Sequence, residues 1–311
     1  MTTPLVGRRR ELEQAGALLE RAFAGAAAGL MLEGEPGIGK TRLLDEVVAL
    51  GQAAGFATHR AGARELDRQR PFGVIADAIG AERDSPDPDL ARIAELLSAG
   101  GAEAGASGAA RGPELAFQLI ELIVDLLGGV SAEGPVLLAL DDLQWSDPSS
   151  LALLARVLRR LPDAPLALVL ACRAEPRSGE LEQLLDGLSG AGHPVLRLGP
   201  LEEQDVAELV EQALGRQAGE DLLSRLSGAR GNPFLVRELV VALRDGDPAQ
   251  APLPASLREA VLRRMRSLPR DELELLRAAS ILGSAFAASD LAAIARQGVA
   301  GLFFYLIGEL R

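Results

Sequence analysis

Eight consecutive residues, Gly34-Glu35-Pro36-Gly37-Ile38-Gly39-Lys40-Thr41, follow the pattern G-x-x-x-x-G-K-[ST]. Each residue type in that pattern has a chemical reason. Glycines let successive backbone N–H groups converge on phosphate oxygens with no Cβ in the way, and a helix N-terminus beyond them adds partial positive charge. Lys40 offers a compact ammonium to β and γ phosphates, and the Thr41 hydroxyl is suited to Mg²⁺. Composition sharpens the point. Of the 32 basic residues, 31 are arginine, and Lys40 is the single lysine. A guanidinium is longer and its donors are fixed in a fork, so it fits poorly where a point charge must meet two phosphates in a tight loop.

A second constellation is the apolar run Val136–Leu140 ending in Asp141-Asp142. Nucleotide hydrolysis on a phosphate-binding loop requires an Asp at the tip of a neighbouring strand for the metal and an acid nearby to orient water. Asp141 is therefore expected to hold Mg²⁺ and Asp142 to orient the attacking water. Asp142 is shorter than Glu, so nucleotide binding is a firmer expectation than efficient turnover.

These residues need particular elements beneath them. The loop sits between the short apolar run Leu30 to Glu33 and a helical pattern over 42–54, which is the strand–loop–helix context the motif demands. Further strands are expected at 56–60, 136–140, 166–172 and 194–198. Continuous apolar strands alternating with amphipathic helices indicate a parallel sheet covered on both faces. A helix is expected over 8–28, loops at 84–88 and 99–113, and a helix over 114–128 that ends at Gly128-Gly129. After residue 200 strand signals stop. Helical patterns run over 201–214, 221–226 and 233–243, a proline-rich linker over 245–254, and three short helices over 256–266, 271–279 and 289–295. The fold class expected is α/β, with a five-stranded parallel sheet. The domains are 1–200, 201–250 and 251–311, the last ending in an aromatic tail, Phe303, Phe304 and Tyr305, that either belongs to the last domain or is foreign to it.

Composition limits the alternatives. A net charge of -12 argues against bulk attraction to nucleic acid or anionic lipid. One cysteine, Cys172, and two histidines, His59 and His193, leave no disulfide and no Cys/His metal cluster. No unbroken apolar run reaches the roughly 18 residues of a bilayer span, and no signal peptide is legible, so a cytoplasmic, membrane-free protein is expected. Cys172 is expected to be buried and inert, and the histidines to be structural. Trp145 reads as a packing anchor. Arg159-Arg160 reads as a solvated helix face, with an arginine finger acting on a second copy as the alternative.

Leu5-Val6-Gly7-Arg8 with Glu11, the loop in the form Glu-Gly-Glu-Pro-Gly-Ile-Gly-Lys-Thr-Arg, and Leu140-Asp141-Asp142-Leu143-Gln144-Trp145-Ser146-Asp147 resemble the signal-transduction (STAND) P-loop ATPases. Within them the chain is most similar to the ATPase region of large LuxR-family, MalT-like transcriptional regulators, a region that resembles origin-recognition-like AAA ATPase domains. Arg64-Glu65-Leu66, Pro71-Phe72-Gly73, Leu198-Gly199-Pro200-Leu201 and Gly231-Asn232-Pro233-Phe234-Leu235 extend the match, which covers residues 5 to about 295. The resemblance implies an AAA-like sheet domain, a helical lid and a partial winged helix. It implies that Val6, Gly7 and Arg8 pack near adenine, and that Gly231 and Pro233 touch the base from the lid. Arg173 would sense the γ-phosphate, while Gly34, Glu35, Pro36, Gly37, Ile38, Gly39, Lys40, Thr41 and Arg42 hold the phosphates. Pro233 also suits the first turn of a helix capped by Asn232, and the two readings are compatible. The function implied is an ATP·Mg²⁺-dependent switch with slow ATPase activity, a short form without sensor repeats or a DNA-binding domain. Nucleotide and self-association or a regulatory protein are the partners expected, and direct DNA binding is not. A constitutive oligomeric ATPase, and a module that holds nucleotide without turnover, stand as alternatives.

Overall fold

The computed structural model describes residues 4–103, 112–175 and 177–244, with isolated helical residues at 265, 273–277, 279 and 291. The chain forms two compact units, Met1–Val240 and Val241–Arg311. The linker expected over 245–254, most of the winged-helix region and the aromatic tail lie outside the described residues.

In the first unit the described strands are β1 (Ala28–Gly34), β2 (Ala57–Gly62), β3 (Val136–Asp141), β4 (Leu166–Arg173) and β5 (Val195–Leu198). They form one parallel sheet in the order β2-β3-β4-β1-β5. The central strands are apolar at nearly every position because both faces are covered. On β4, Leu166, Leu168, Leu170 and Cys172 point into one core, while Ala167, Val169 and Ala171 point into the other. The second core is closed by α1 (Arg9–Phe23) and α2 (Lys40–Ala53), through Leu18, Leu19, Leu43, Leu44 and Val47. The first is closed by α3 (Gly73–Ile79), α4 (Pro88–Glu103), α5 (Gly112–Glu133), α6 (Pro148–Arg160) and α7 (Gly179–Gly190). Beyond β5 come α8 (Glu203–Leu214), α9 (Glu220–Leu226) and α10 (Pro233–Arg244).

Four sequence expectations change. The first helix stops at Phe23, with Gly25 in the left-handed region at φ 91°. The segment 99–113 is helical at both of its described ends, in α4 and α5. Third, α5 runs through Gly128-Gly129 to Glu133 instead of ending there. Gly128 faces α6 closely, since a Cβ would stand 3.3 Å from the Leu161 side chain. Finally, Glu114–Glu133 is 20 residues with mean hydropathy 1.7, long and apolar enough by composition to cross a bilayer. A search for unbroken runs passes over it because Glu121 and Asp125 interrupt it. Here α5 buries Leu119, Ile123, Val124 and Leu127 against the sheet, and Glu121 pairs with Arg156 and Arg160 of α6.

The strand order decides where chemistry can occur. Because β4 lies between β1 and β3, the carboxyl ends of all three converge on one edge. In open α/β sheets that end is where ligands bind.

Candidate functional site

The loop after β1 is shaped by backbone positions that only glycine adopts readily. Gly37 and Gly39 have φ of 80° and 104°, and a Cβ at Gly37 would lie 2.8 Å from Phe234 Cβ. Gly39 is the N-cap of α2, so the helix amides open directly into the loop. Lys40 follows at the first helical position and is only 7% exposed. Its Nζ donates to the carbonyls of Gly34 at 2.9 Å and Glu35 at 3.0 Å, so the ammonium is drawn back across the loop. Burial lowers the Lys40 pKa below the usual lysine value, Asp142 and Asp141 oppose that shift, and Arg173 reinforces it.

Asp141 and Asp142 close the facing side from the end of β3. Asp141 is buried, and desolvation raises its pKa, with a Thr41 hydrogen bond acting in the opposite direction. Thr41 and Asp141 thus meet as a hydroxyl and a carboxylate, two hard oxygen donors beside the phosphate loop. That donor set fits Mg²⁺, which takes one or two protein oxygens and completes its shell with phosphate and water. Among the described residues no group of three or more His, Cys, Asp or Glu side chains forms a metal cage. Asp142 sits in the left-handed region at φ 54°, a conformation uncommon outside glycine, and it lines the cleft with its Oδ1 accepting from Gln144 Nε2.

Arg173 ends β4 as the sequence places it. It lines a cavity of about 300 Å³ together with Pro36, Gly37, Gly39, Lys40, Thr41, Arg42 and Asp142. Lys40 and Arg173 therefore face one space with like charge, an arrangement that an anionic ligand relieves. A neighbouring apolar cavity of about 180 Å³ is lined by Leu5, Val6, Arg8, Ile38, Leu201, Leu209, Pro233, Phe234 and Arg237, among others. A space lined by charged side chains and an apolar one thus adjoin at the loop. Arg8, only 5% exposed, donates to the Ile38 and Gly199 carbonyls and pairs with Glu11. It reaches this cavity as a strut joining α1, the loop and the end of β5.

The segment before α10 also meets the loop. Asn232 Oδ1 accepts from the Phe234 and Leu235 amides, which makes it the cap of α10 with Pro233 in the first turn. Its Nδ2 donates to the Pro36 carbonyl, and the Phe234 amide donates to the Gly37 carbonyl. Gly231 accepts from the Leu201 amide at 2.8 Å and does not line either cavity, and neither does Gly7.

Several motif residues serve the frame. Asp147 caps α6 and also accepts from the amide of Phe72, tying Pro71-Phe72-Gly73 to the loop after β3. Glu33, one residue before the loop and 3% exposed, pairs with Arg177 and Arg197. His193 accepts the Gly29 amide, and His59 lies on edge strand β2. Burial pushes the Cys172 thiol up to about 11. Arg160 pairs with Glu121, and Arg159 lies exposed on α6.

Sequence reasoning missed Arg68, Gln144, Phe234 and Arg237. Arg68 and Arg173 flank Trp145, their guanidinium carbons 4.6 and 5.5 Å from the ring centroid. Gln144 and Phe234 stood inside motifs already noted, which was the available signal. Arg68 carried none.

The uncharacterized protein R02095 of Rhizobium meliloti is 25% identical over 265 residues, which are 77% of this chain and 25% of that protein. The chain thus spans about a quarter of that relative's length. The Aeropyrum pernix ORC2 protein, solved as ADPNP–ADP complexes, has a TM-score of 0.58 at 18% identity, over 98% of this chain and 85% of that one. The replication initiator DnaA bound to AMPPCP and single-stranded DNA has a TM-score of 0.50 at 13% identity, over 99% and 90%. At such identities the likeness is one of fold. A family model described as an AAA ATPase domain matches residues 4–170, more than half of the chain, and with it the phosphate loop and both acids. The chain belongs to the AAA ATPase domain family.

Proposed function

We propose that this chain is an ATP-binding regulatory module whose nucleotide state changes how its C-terminal helices seat, with slow hydrolysis as the reset. The observation that carries the reading is Lys40. The chain's one lysine is buried at the head of α2, held by loop carbonyls and faced by Asp141, Asp142 and Arg173 from the ends of two adjacent strands. In this reading Lys40 exchanges its carbonyl partners for β and γ phosphate oxygens. Gly34, Glu35, Pro36, Gly37, Ile38, Gly39, Thr41 and Arg42 cradle the phosphates, and Arg173 binds the terminal one. Asp142 orients a water in line with it. Thr41 and Asp141 would hold Mg²⁺, whose charge offsets that of the phosphates. Val6, Gly7, Arg8, Gly231 and Pro233 enclose the base, although only Val6, Arg8 and Pro233 line the apolar cavity.

The switch role rests on the bonds from Asn232 and Phe234 to the loop carbonyls, because nucleotide and the helical lid over 201–250 then share the same loop. The similarity to LuxR-type, MalT-like STAND regulators supports a place in cytoplasmic signal transduction, with a partial winged helix over 251–311. The test is titration of the full chain with ATP and ADP in the presence of Mg²⁺, followed by calorimetry, beside phosphate release. Micromolar or tighter binding with turnover below about 1 per second supports the reading. Lys40→Arg should weaken binding at least about 100-fold with an unchanged circular dichroism spectrum. Equal binding by parent and variant would reject it. Turnover that rises steeply with protein concentration would instead identify an oligomeric ATPase.

A further inference from the structure

Gln144 stands three residues beyond the metal-side acid, 6% exposed, with every polar group of its side chain engaged. Its Nε2 donates to Asp142 Oδ1 at 2.7 Å. Its Oε1 accepts from the backbone amide of Arg173 at 3.0 Å. Its own carbonyl accepts from Arg68 Nη2 at 3.1 Å, and Arg68 in turn lies over Trp145. The β3–β4 ladder ends at Leu140 and Leu170, so beyond that point no backbone pairing joins the tips of these strands. The Gln144 amide spans the gap instead.

A side-chain amide performs both halves of this with one planar group. A carboxylate accepts twice, an ammonium donates twice, and a hydroxyl does not reach both strands. The orientation of the amide is also settled by its partners, since reversing it would set oxygen against carboxylate and NH₂ against N–H. Asp142 needs such a brace more than most residues. Its backbone is in the left-handed region, and with one methylene its carboxylate has few ways to aim.

We propose that Gln144 is a positioning residue that couples the water-orienting acid Asp142 to the phosphate-sensing Arg173, so that hydrolysis and recognition of the terminal phosphate are set together. This rests on the ATPase reading above. Gln144 lines neither cavity and acts through its two partners. One end fixes the rotamer of Asp142, and the other fixes the strand tip from which Arg173 extends.

The two ends can be separated by substitution. Gln144→Met keeps the length and removes both bonds. Gln144→Glu keeps an acceptor for the Arg173 amide and places like charge against Asp142. With the full chain and Mg²⁺, phosphate release should fall about 100-fold in both variants. The ratio of ADP to AMPPNP dissociation constants should shift about tenfold in Gln144→Met and stay within about twofold of the parent in Gln144→Glu. Trp145, the one tryptophan in the sequence, has the Arg173 guanidinium 5.5 Å from its ring, so its fluorescence should report nucleotide binding independently of turnover. Parent-like turnover in either variant, or the same shift of the affinity ratio in both, would overturn the proposal. A purely structural role would lower the melting temperature and leave the rate and ratio per folded molecule unchanged, which also overturns it. Should Gln144→Glu not fold, the rate and ratio of Gln144→Met decide alone. A parent that does not bind nucleotide would instead count against the ATPase reading.

Discussion

At the scale of single residues, the informative positions were those whose chemistry has no substitute. Lys40, Thr41, Asp141 and Asp142 were legible because a phosphate site restricts residue type as well as spacing, and the fold brings all four to one cleft. Gln144 and Arg68 were not legible in that way, because an amide or a guanidinium acquires its role from partners 29 or 76 positions away. His193 lies between these cases. Its Nδ1 accepts the Gly29 amide, which requires the neutral ring, and burial lowers its pKa with help from Arg21. The unfolded chain therefore binds this proton more readily, and stability falls as pH drops below about 6.5. The melting temperature should decline between pH 7.5 and 5.5 more steeply in the parent than in His193→Gln, whose amide oxygen can still accept. Parallel declines would show that His193 does not contribute.

At the scale of elements, strands were read more accurately than helix ends. A strand of β4's kind declares itself by unbroken apolar residues, since both of its faces are covered. The termini of α5 were misread because Gly128-Gly129 resembles a stop, yet packing against α6 outweighs the low helix propensity of glycine. The pair offers a measurement of that competition. Neither glycine has a positive φ, and nothing lies within 4 Å of a Cβ at Gly129. Gly129→Ala should therefore stabilise the chain by about 0.5–1 kcal/mol. Gly128→Ala should gain less or lose stability, because its new methyl meets Leu161. Chemical denaturation of both variants checks this, and equal gains would mean the α5–α6 contact is loose.

At the scale of the whole molecule, the sequence indicated a doubly covered parallel sheet but not its order. Periodicity reports whether a strand is buried and is silent on which strand lies beside it. The insertion of β4 between β1 and β3 is therefore a property of the folded chain, and it is what delivers Arg173 to the phosphate loop. Net charge is the other property at this scale. A chain of net charge -12 has little bulk electrostatic attraction to nucleic acid. Labelled duplex DNA should show no anisotropy change up to about 100 μM protein at 0.15 M salt, the weak end of the typical non-specific range. Saturable, salt-sensitive binding at lower concentration would reveal a basic face that the net charge conceals.

The bonds from Asn232 and Phe234 to Pro36 and Gly37 have an entropic consequence. A glycine-rich loop left to itself would lose about 1–2 kcal/mol of conformational freedom per residue when a ligand ordered it. Here the segment before α10 orders the loop during folding, so a nucleotide meets a surface that is already arranged. Loosening that segment would weaken ligand binding without altering one atom that the ligand touches.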